Sequence, residues 1–583
     1  MEEIPEDAKL RRSWNHLTMC MEHPEVFYTY EWAIAVQRAY TDSLAPVLFL
    51  GYEGEKLVGL VALAVRKQRA GELAFLTADT ADYCDFLADP GDRLEFVEGV
   101  LSALRNRKAE KIVLANLPAD SCSVAVISQA ASRWHYHLHS RPAYLCARVA
   151  FASAEQRTSV KQSVLSKKRL RRNLRELAKR GSVSVRHDTN WEQIEPLLQP
   201  FSRAHVARFL EMGKTSNLVL GERRVFLREL ARELSDAGWV VFSRLLVSEV
   251  AAAWNYGFRF AGSWFWYQPT VNNVFGDFSP GYCLLAKIVE LACESPDVEM
   301  IDLGLGAEAY KDRFANATRQ TLYFELNESF PGHLRTVLRN RAAELAKASP
   351  RIENRIRGII SRVVEFRERL RGAGPWSLLV RLGGRIQSWL GAFDNVLFFE
   401  WPAANQSPLG SGTSLHELTS DVLGAAAILY GDDPTILRYL TRSARRLGSG
   451  RGQGFALLNA AGQPVHFCWA VDFEGFEMAE LDRTLHAPCA NAVIIFDCFT
   501  PASVRGRGLF QEAIGLLAGQ LRAQGKVPWI FGAATNQASL RGIRKTAFQY
   551  RFSLGRQKIL FFGRKRDSIP APNSGGASGA SML

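Results

Sequence analysis

One order of elements recurs along this chain, and it constrains the fold more than any single residue type. Each time, a strand meander leads into a strand, a turn, an apolar-faced helix and a further strand. The order is read in "CDFLADPGDRLEFVEGVLSALRN" followed by "KIVLANLP", in "DFSPGYCLLAKIVELACES" followed by "VEMIDLGLG", and in "IIFDCFT", "RGRG" and "PWIFGAAT". Such a repeat predicts an α/β chain of the α+β type, with mixed, largely antiparallel sheets flanked by helices.

Length sets the number of units. At roughly 150 residues per domain, 583 residues suit three or four domains. The expected spans are 1–150, 151–330, a basic amphipathic helical linker over 331–395, a third unit over 396–566 and a disordered tail over 567–583. The linker reads from arginines set beside Ile, Val and Leu at helical spacing in "RIENRIRGIISRVVEFRERLR". The tail is poor in large apolar residues.

Several classes are disfavoured. No apolar run is long enough to cross a bilayer, and the candidate over 376–390 is broken by Arg381 and Arg385. The start, "MEEIPEDAKLRRSW", is acidic and lacks an apolar core, so a cytoplasmic location is expected. Nine cysteines show no metal-ligand spacing and read as small buried hydrophobes. "HYHLH" (135–139) has no acidic partner nearby, and no metal is expected.

The net charge is +13, and it is concentrated. Residues 335–385 hold thirteen Lys/Arg against four Asp/Glu, and "KKRLRRNLRELAKR" (167–180) is a second cluster. Such charge suits phosphates of nucleic acid, anionic lipid or a cofactor. Nucleic acid is disfavoured, because the basic stretches lack interleaved aromatics and any reading module. The linker either lies against an anionic inner-membrane surface or is a solvated spacer.

The most informative loop is "SVRGRGLFQEAI" (503–514). A helix start offers unpaired N–H groups and partial positive charge, and glycines let that backbone approach a ligand. Arg505, Gly506, Arg507, Gly508 and Leu509 would thus form a pyrophosphate site. The alternative is a glycine turn with solvated arginines. Its place between a buried strand and an apolar-faced helix favours the site.

These residues resemble the coenzyme A signature of the GNAT acyltransferase superfamily, Arg/Gln-x-x-Gly-x-Gly/Ala. Arg505 and Gly508 match, while Phe510 stands where Gly or Ala is preferred. The resemblance covers 396–560. It implies that Phe499 and Thr500, on a splayed strand, offer a backbone donor. It also implies that Asn536 in "NQASLRGIRKTAF" lies near the pantetheine arm, with Ser539 one turn on. Where many members carry an acidic tyrosine, this chain has Ile543, with Tyr550 beyond it. Glu480, Asp482 and Asp497 are carboxylates able to deprotonate an amine; Asp497 is equally a hydrogen-bonded strand residue.

Residues 30–325 resemble the BioF2-like acetyltransferase family (CelD/BcsL), associated with cellulose and exopolysaccharide synthesis. The likeness rests on "SVLSKKRLRRNLRELAKRGSVSVR", "FSRAHVARF", "FWYQPTVNNVFGDFSPGYCLLAKI" and "IDLGLGAEAYKDRFA". That family resembles the Fem transferases, in which two GNAT-like halves pack together. Here Ser279 can cap a helix, Pro280 suits its first turn and Gly281 admits a phosphate. Asp302, Glu308, Tyr310, Lys311 and His205 are candidate acids and bases, each equally able to serve a structural network. Asp89 and Asp92 in "ADPGDR" would repel a diphosphate, so no cofactor is expected there.

The resemblance implies an N- or O-acyltransferase using acetyl-coenzyme A or another acyl-coenzyme A, with no metal. Its acceptor would be an amino sugar or other saccharide precursor, and its partner a membrane-bound polysaccharide synthase. The alternative is a GNAT fold kept for assembly or regulation, with catalysis lost.

Overall fold

A computed structural model describes residues 2–67, 71–107, 109–306, 308–348, 392–402, 413–478, 481–559 and 562–568. The chain divides into two compact units: Met1–Arg208 with Ser216–Asn354, and Phe209–Thr215 with Arg355–Leu583.

The first unit opens with α1 (Ala8–Met19), α2 (Tyr30–Ala39), β1 (Leu44–Glu53) and β2 (Lys56–Arg66). There follow β3 (Glu72–Phe75), β4 (Leu87–Ala88), α3 (Arg93–Asn106), β5 (Lys111–Pro118), α4 (Ser123–Arg133) and β6 (His137–Ala150). It continues with α5 (Ala154–Leu165), α6 (Lys168–Ala178), β7 (Val183–Asp188), α7 (Trp191–Glu211) and α8 (Gly221–Asp236). It closes with β8 (Val240–Val247), β9 (Val250–Phe260), β10 (Ser263–Val271), α9 (Pro280–Glu294), β11 (Met300–Asp302), β12 (Ala317–Asn327) and α10 (Phe330–Ala348).

All these strands form one twelve-stranded mixed sheet, ordered β1-β2-β3-β5-β12-β6-β11-β10-β9-β8-β7, with β4 beside β2. The spans 1–150 and 151–330 are therefore interleaved rather than adjacent. β12 lies between β5 and β6, pairing antiparallel with both, and β11 pairs with the end of β6. The core on one face is built around α9. Cys283, Leu284, Leu285, Ile288 and Val289 are fully buried there, with Trp264 and Val241 in the same cluster.

The second unit holds β13 (Ala392–Glu400), β14 (Ser414–Glu417), α11 (Ser420–Leu429), α12 (Pro434–Gly448), β15 (Gln453–Leu458) and β16 (Pro464–Asp472). Then come β17 (Glu477–Met478), β18 (Arg483–Thr484), β19 (Ala492–Phe499), α13 (Leu509–Ala523) and β20 (Val527–Ala533). The last elements are α14 (Gln537–Arg544), β21 (Gln549–Ile559) and β22 (Phe562–Ser568). Its eight-stranded sheet runs β14-β15-β16-β19-β20-β13-β21-β22.

The recurring order read from the sequence takes one physical form three times. A strand, a crossover helix and a second strand pair in parallel over a few residues and then part. The pairings are Glu72 to Ala74 with Lys111 to Val113, Ser263 to Phe265 with Met300 to Asp302, and Ala492 to Ile495 with Val527 to Ile530. The helices between them are α3, α9 and α13. Each gap opens at its helix N-terminus, where backbone N–H groups lack intrahelical partners.

Two expectations change. "CDFLADPGD" yields a strand of only two residues, β4. "AEAYKDRFA" reads from its place after a strand as a helix start, and it yields a single 3₁₀ turn, Lys311–Arg313. Gly304 and Gly306, both at positive φ, set the loop before that turn, and the buried Lys311 ties it. The linker and tail lie mostly outside the described residues. Among those described, no helix is long and apolar enough to cross a membrane.

Candidate functional site

At the start of α9, Pro280 occupies the first turn, where its missing N–H costs nothing. Ser279 does not cap. It adopts a left-handed conformation with φ 48°, its side chain makes no cap bond, and its Oγ accepts from Arg169 Nη2 at 3.2 Å. Gly281 sits close to β10: a Cβ there would stand 3.1 Å from Val271 Cγ1.

These residues line a cleft of about 270 Å³ with Trp266, Pro269, Tyr282 and Tyr310. Arg169, Arg208 and Arg313 also line it. Arg208 makes no ion pair with a carboxylate among the described residues, and burial pulls its pKa down. An anionic ligand would supply the missing counter-charge. The cleft therefore combines a helix start, three guanidinium groups and an aromatic wall, and these fit the diphosphate and pantetheine of a coenzyme A thioester.

Trp266 Nε1 donates to the Tyr310 hydroxyl at 3.1 Å, and burial pushes that phenol up to about 12. Tyr310 is thus protonated at neutral pH, with its own O–H left to give. Of the cluster proposed around it, the neighbours are committed elsewhere. Asp302, 1% exposed, accepts from Tyr83 OH (2.7 Å), Arg148 Nε (2.8 Å) and Gly304 N–H (2.8 Å). Arg148 and Arg319 continue the network to Glu25, and Arg319 to Asp120. Lys311, 4% exposed, binds the carbonyls of Gly304, Leu305 and Gly306 and pairs with Glu308 Oε2 at 2.6 Å. These groups fasten the loop after β11.

His205 is buried, with Nδ1 2.8 Å from Ser216 Oγ and Nε2 3.2 Å from Gln268 Nε2. The Gln268 amide can only donate to it, so the lone pair of Nε2 is taken. Burial lowers the His205 pKa to about 3, which keeps it neutral.

The sequence reading missed the loop between β3 and β4, "LTADTADYCDF". It crosses the gap where β10 and β11 part. Asp82 is the residue that matters there. A Cβ on Gly304 would stand 2.8 Å from Asp82 Oδ2 and 3.7 Å from the Trp266 carbonyl, so only a glycine lets this carboxylate approach. Asp82 is partly buried and makes no ion pair among the described residues. Burial and then the charge of Asp302 push its pKa up to about 7, against Lys311, Arg223 and a backbone N–H from Leu305. A carboxyl so placed is suited to take a proton near neutrality. Its sequence signal was a run of acids in a basic chain.

At α3 the opening is filled. Arg93 is buried there, bonded to Glu22 at 2.6 Å and 3.0 Å and to the Ala88 carbonyl.

In the second unit, Gly506 and Gly508 have φ of 80° and 79° and are exposed, with no atom within 4 Å of where a Cβ would stand. Gly508 is the N-cap of α13, and no side chain caps it, so the helix start is bare. β19 carries the bulge that the splayed strand requires, with Asp497 at φ 48°.

The side chains around this second opening are nevertheless engaged. Asp497 Oδ2 accepts from Arg446 Nη1 at 2.7 Å, and its carbonyl accepts from Tyr439 OH. Phe499 stacks on Tyr439 at 4.5 Å. Thr500 Oγ1 bonds His466 Nδ1, and Arg505 Nε donates to the Thr500 carbonyl. Asn536 caps α14 by accepting from Ser539 N–H at 3.1 Å. Phe510 packs against Gly542, where a Cβ would meet its ring at 2.6 Å. Ile543 is fully buried, so no acid could stand there exposed. Tyr550 is exposed on β21, and Asp482 pairs with Arg556. Arg507 and Leu509 remain at the helix mouth. Glu480 lies outside the described residues.

Residues 166–312 match the model of a family described as an acetyltransferase (GNAT) domain. The match contains the α9 opening and ends before α13. No curated protein matches the chain. Among solved structures, FemX is similar at 10% identity and a TM-score of 0.41, over 58% of this chain and 99% of that one. A tandem GNAT protein from the clavulanic acid biosynthesis pathway is similar at 12% identity and 0.33, over 56% and 97%. L-PGS from Bacillus licheniformis is similar at 9% identity and 0.35, over 53% and 95%.

Proposed function

We propose that the first unit is an acyltransferase that takes its acyl group from a coenzyme A thioester held at α9. The observation that carries this is the cleft at the α9 start, with Arg208 in no ion pair among the described residues, near a carboxyl raised toward neutrality. When bound, the thioester supplies an activated acyl carbonyl.

Arg169, Arg208 and the free N–H groups of Gly281 and Tyr282 hold the diphosphate. Asp82 accepts the proton from an amine or hydroxyl as that nucleophile forms its new bond to the acyl carbon. Tyr310 gives its O–H proton to the sulfur as the carbon–sulfur bond breaks, and regains one from solvent. Proton and acyl group are thereby balanced between acceptor and thiol. The acceptor is an amino sugar or other precursor of extracellular polysaccharide, acetyl the first acyl group to try, and a membrane-bound synthase the partner. The sequence resemblance of residues 30–325 supports that assignment, and the cytoplasmic face of the inner membrane is the matching location.

A second reading concerns the second unit alone. Its helix mouth is open, yet Asp497, Thr500 and Asn536 are all bonded within the fold. That favours a GNAT-like unit serving binding or assembly.

The test is thiol release from acetyl-coenzyme A across a panel of amino sugars, comparing Asp82→Asn with Asp497→Asn. Turnover lost only in the first assigns catalysis to α9. Turnover lost only in the second moves it to α13. Thioester binding without turnover on any acceptor favours the assembly role for the whole chain.

A further inference from the structure

A second cleft, of about 420 Å³, lies in the first unit at the start of α8. Tyr40, Arg66, Asp79, Asn217, Glu222 and Arg223 are among its lining residues. Nothing in the acyl-donor reading uses it.

Its central feature is a buried cation that makes no ion pair among the described residues. Arg223 is 6% exposed. Its Nη2 donates to Tyr267 OH at 2.8 Å and Gln268 Oε1 at 3.1 Å, Tyr40 is in hydrogen-bond reach, and its Nε has no partner. All of these partners are neutral oxygens. A desolvated guanidinium is costly unless an anion neutralises it. The other cation of the cleft, Arg66, is already spent on Asp79 at 2.9 Å. The first turn of α8 adds donors: Leu220 gives it no side-chain cap, so its first N–H groups lack intrahelical partners, and Leu220, Glu222 and Arg223 line the cleft. Ala78 and Asp79, on the opposite wall, hold left-handed conformations, with φ of 49° and 57°.

The place of this cleft gives it meaning. Arg223 grips Tyr267, in the bulge of β10 just past its last pairing with β11, and Gln268, where pairing with β9 resumes. Trp266 and Pro269, the neighbours of that pair, line the α9 cleft instead. One strand thus lines the α9 cleft with Trp266, Pro269 and Val271 and is tied to the other cleft by the bonds of Tyr267 and Gln268 to Arg223. Beyond Phe265 and Asp302 no ladder bonds close the gap between the two, and Asp82 stands in it.

Resting on the acyltransferase reading, we infer that the α8 cleft binds the acceptor through an acidic group, a carboxylate or phosphate, that ion-pairs with Arg223. The acceptor is then an anionic molecule carrying the amine or hydroxyl to be acylated, and a neutral amino sugar is a poor ligand.

Equilibrium binding to the full chain, without acyl donor, tests this. The probes are glucosamine, glucosamine 6-phosphate and muramic acid, which separate phosphate from carboxylate. At least one acid should bind about tenfold tighter than glucosamine, and Arg223→Gln should erase that preference. Glu222→Gln, which removes a like charge from the rim, should tighten the acid about threefold. It decides the matter if Arg223→Gln fails to fold. Equal binding of all three sugars, no binding of either acid, or an acid preference untouched by Arg223→Gln in a folded variant overturns the inference. Acetyl-coenzyme A binding is measured alongside. Its loss with acid binding intact sinks the donor reading alone, and the reverse sinks this one alone.

Discussion

The openings at α9 and α13 share a backbone and differ in what their side chains are free to do. Both have a strand pair that parts after a few residues, a bulge on the first strand and a bare helix start. At α9, Arg208 and the Tyr310 proton remain uncommitted, and Asp82 is brought in from the distant loop between β3 and β4. At α13, the carboxylate, the hydroxyl and the amide that the sequence offered are each bonded to a neighbour. A glycine loop at a helix mouth therefore reports a fold, and the unpaired groups around it report chemistry.

The sharpest break between the two openings is expected from their carboxylates. Asp82→Asn should lower kcat on the order of 10²- to 10⁴-fold with thioester affinity kept, whereas Asp497→Asn should leave kcat unchanged. Steady-state kinetics on the full chain reads both. Asp82 also fixes a pH profile. It must be ionised to accept a proton, so the rate should climb through pH of about 7 and level above it. The groups facing it are Asp302, Lys311, Arg223, Tyr267, Cys84 and Cys146. The linkage runs the other way. The folded chain holds this proton above the ordinary carboxylate value of roughly 4. Its share of stability is full at low pH and is lost as pH rises through about 7. Denaturation of Asp82→Asn should accordingly lose that pH dependence.

Next in size is the arginine comparison. Arg208→Gln should raise KM for the thioester by about tenfold, while Arg507→Gln should not move it. Equal effects would mean that both openings hold the donor. Smaller again are the glycines. Gly508→Ala places a side chain at φ 79°, which costs about 1 kcal/mol and should lower the unfolding midpoint without touching turnover. The smallest effect is on the partly buried Arg446–Asp497 pair, worth about 1 kcal/mol, read as a slight loss of stability in Asp497→Asn.

Much of the frame was legible. The strand, turn, helix and strand order located all three openings, because apolar periodicity and the Gly and Pro punctuation are local signals. "FSPGY" pointed to the α9 start for the right reason in Pro280 and for the wrong one in Ser279, whose φ no sequence rule sets. The charged cluster after β11 reads from sequence alone as catalytic or structural equally well. Asp302 and Lys311 are chemically able, but their partners are Tyr83, Arg148 and three carbonyls, and burial turns them into fasteners. Asp82 was illegible, since its place depends on a loop of the first 150 residues reaching Gly304. Arg223 was hidden for the same reason: the arginine pair in "GERRVF" gives no sign that its first member will be desolvated with only neutral hydrogen-bond partners.

The insertion of β12 between β5 and β6 has a consequence for birth on the ribosome. Lys111 cannot find Asn327, nor His137 the same residue, until the whole intervening chain has been made. At roughly 5–20 residues per second that wait is on the order of ten to forty seconds. Until residue 300 the fourteen residues of β6 have no neighbouring strand, since both of its partners, β11 and β12, are synthesised later. Nascent chains halted before residue 300 should therefore be the species that chaperones hold and that aggregates collect.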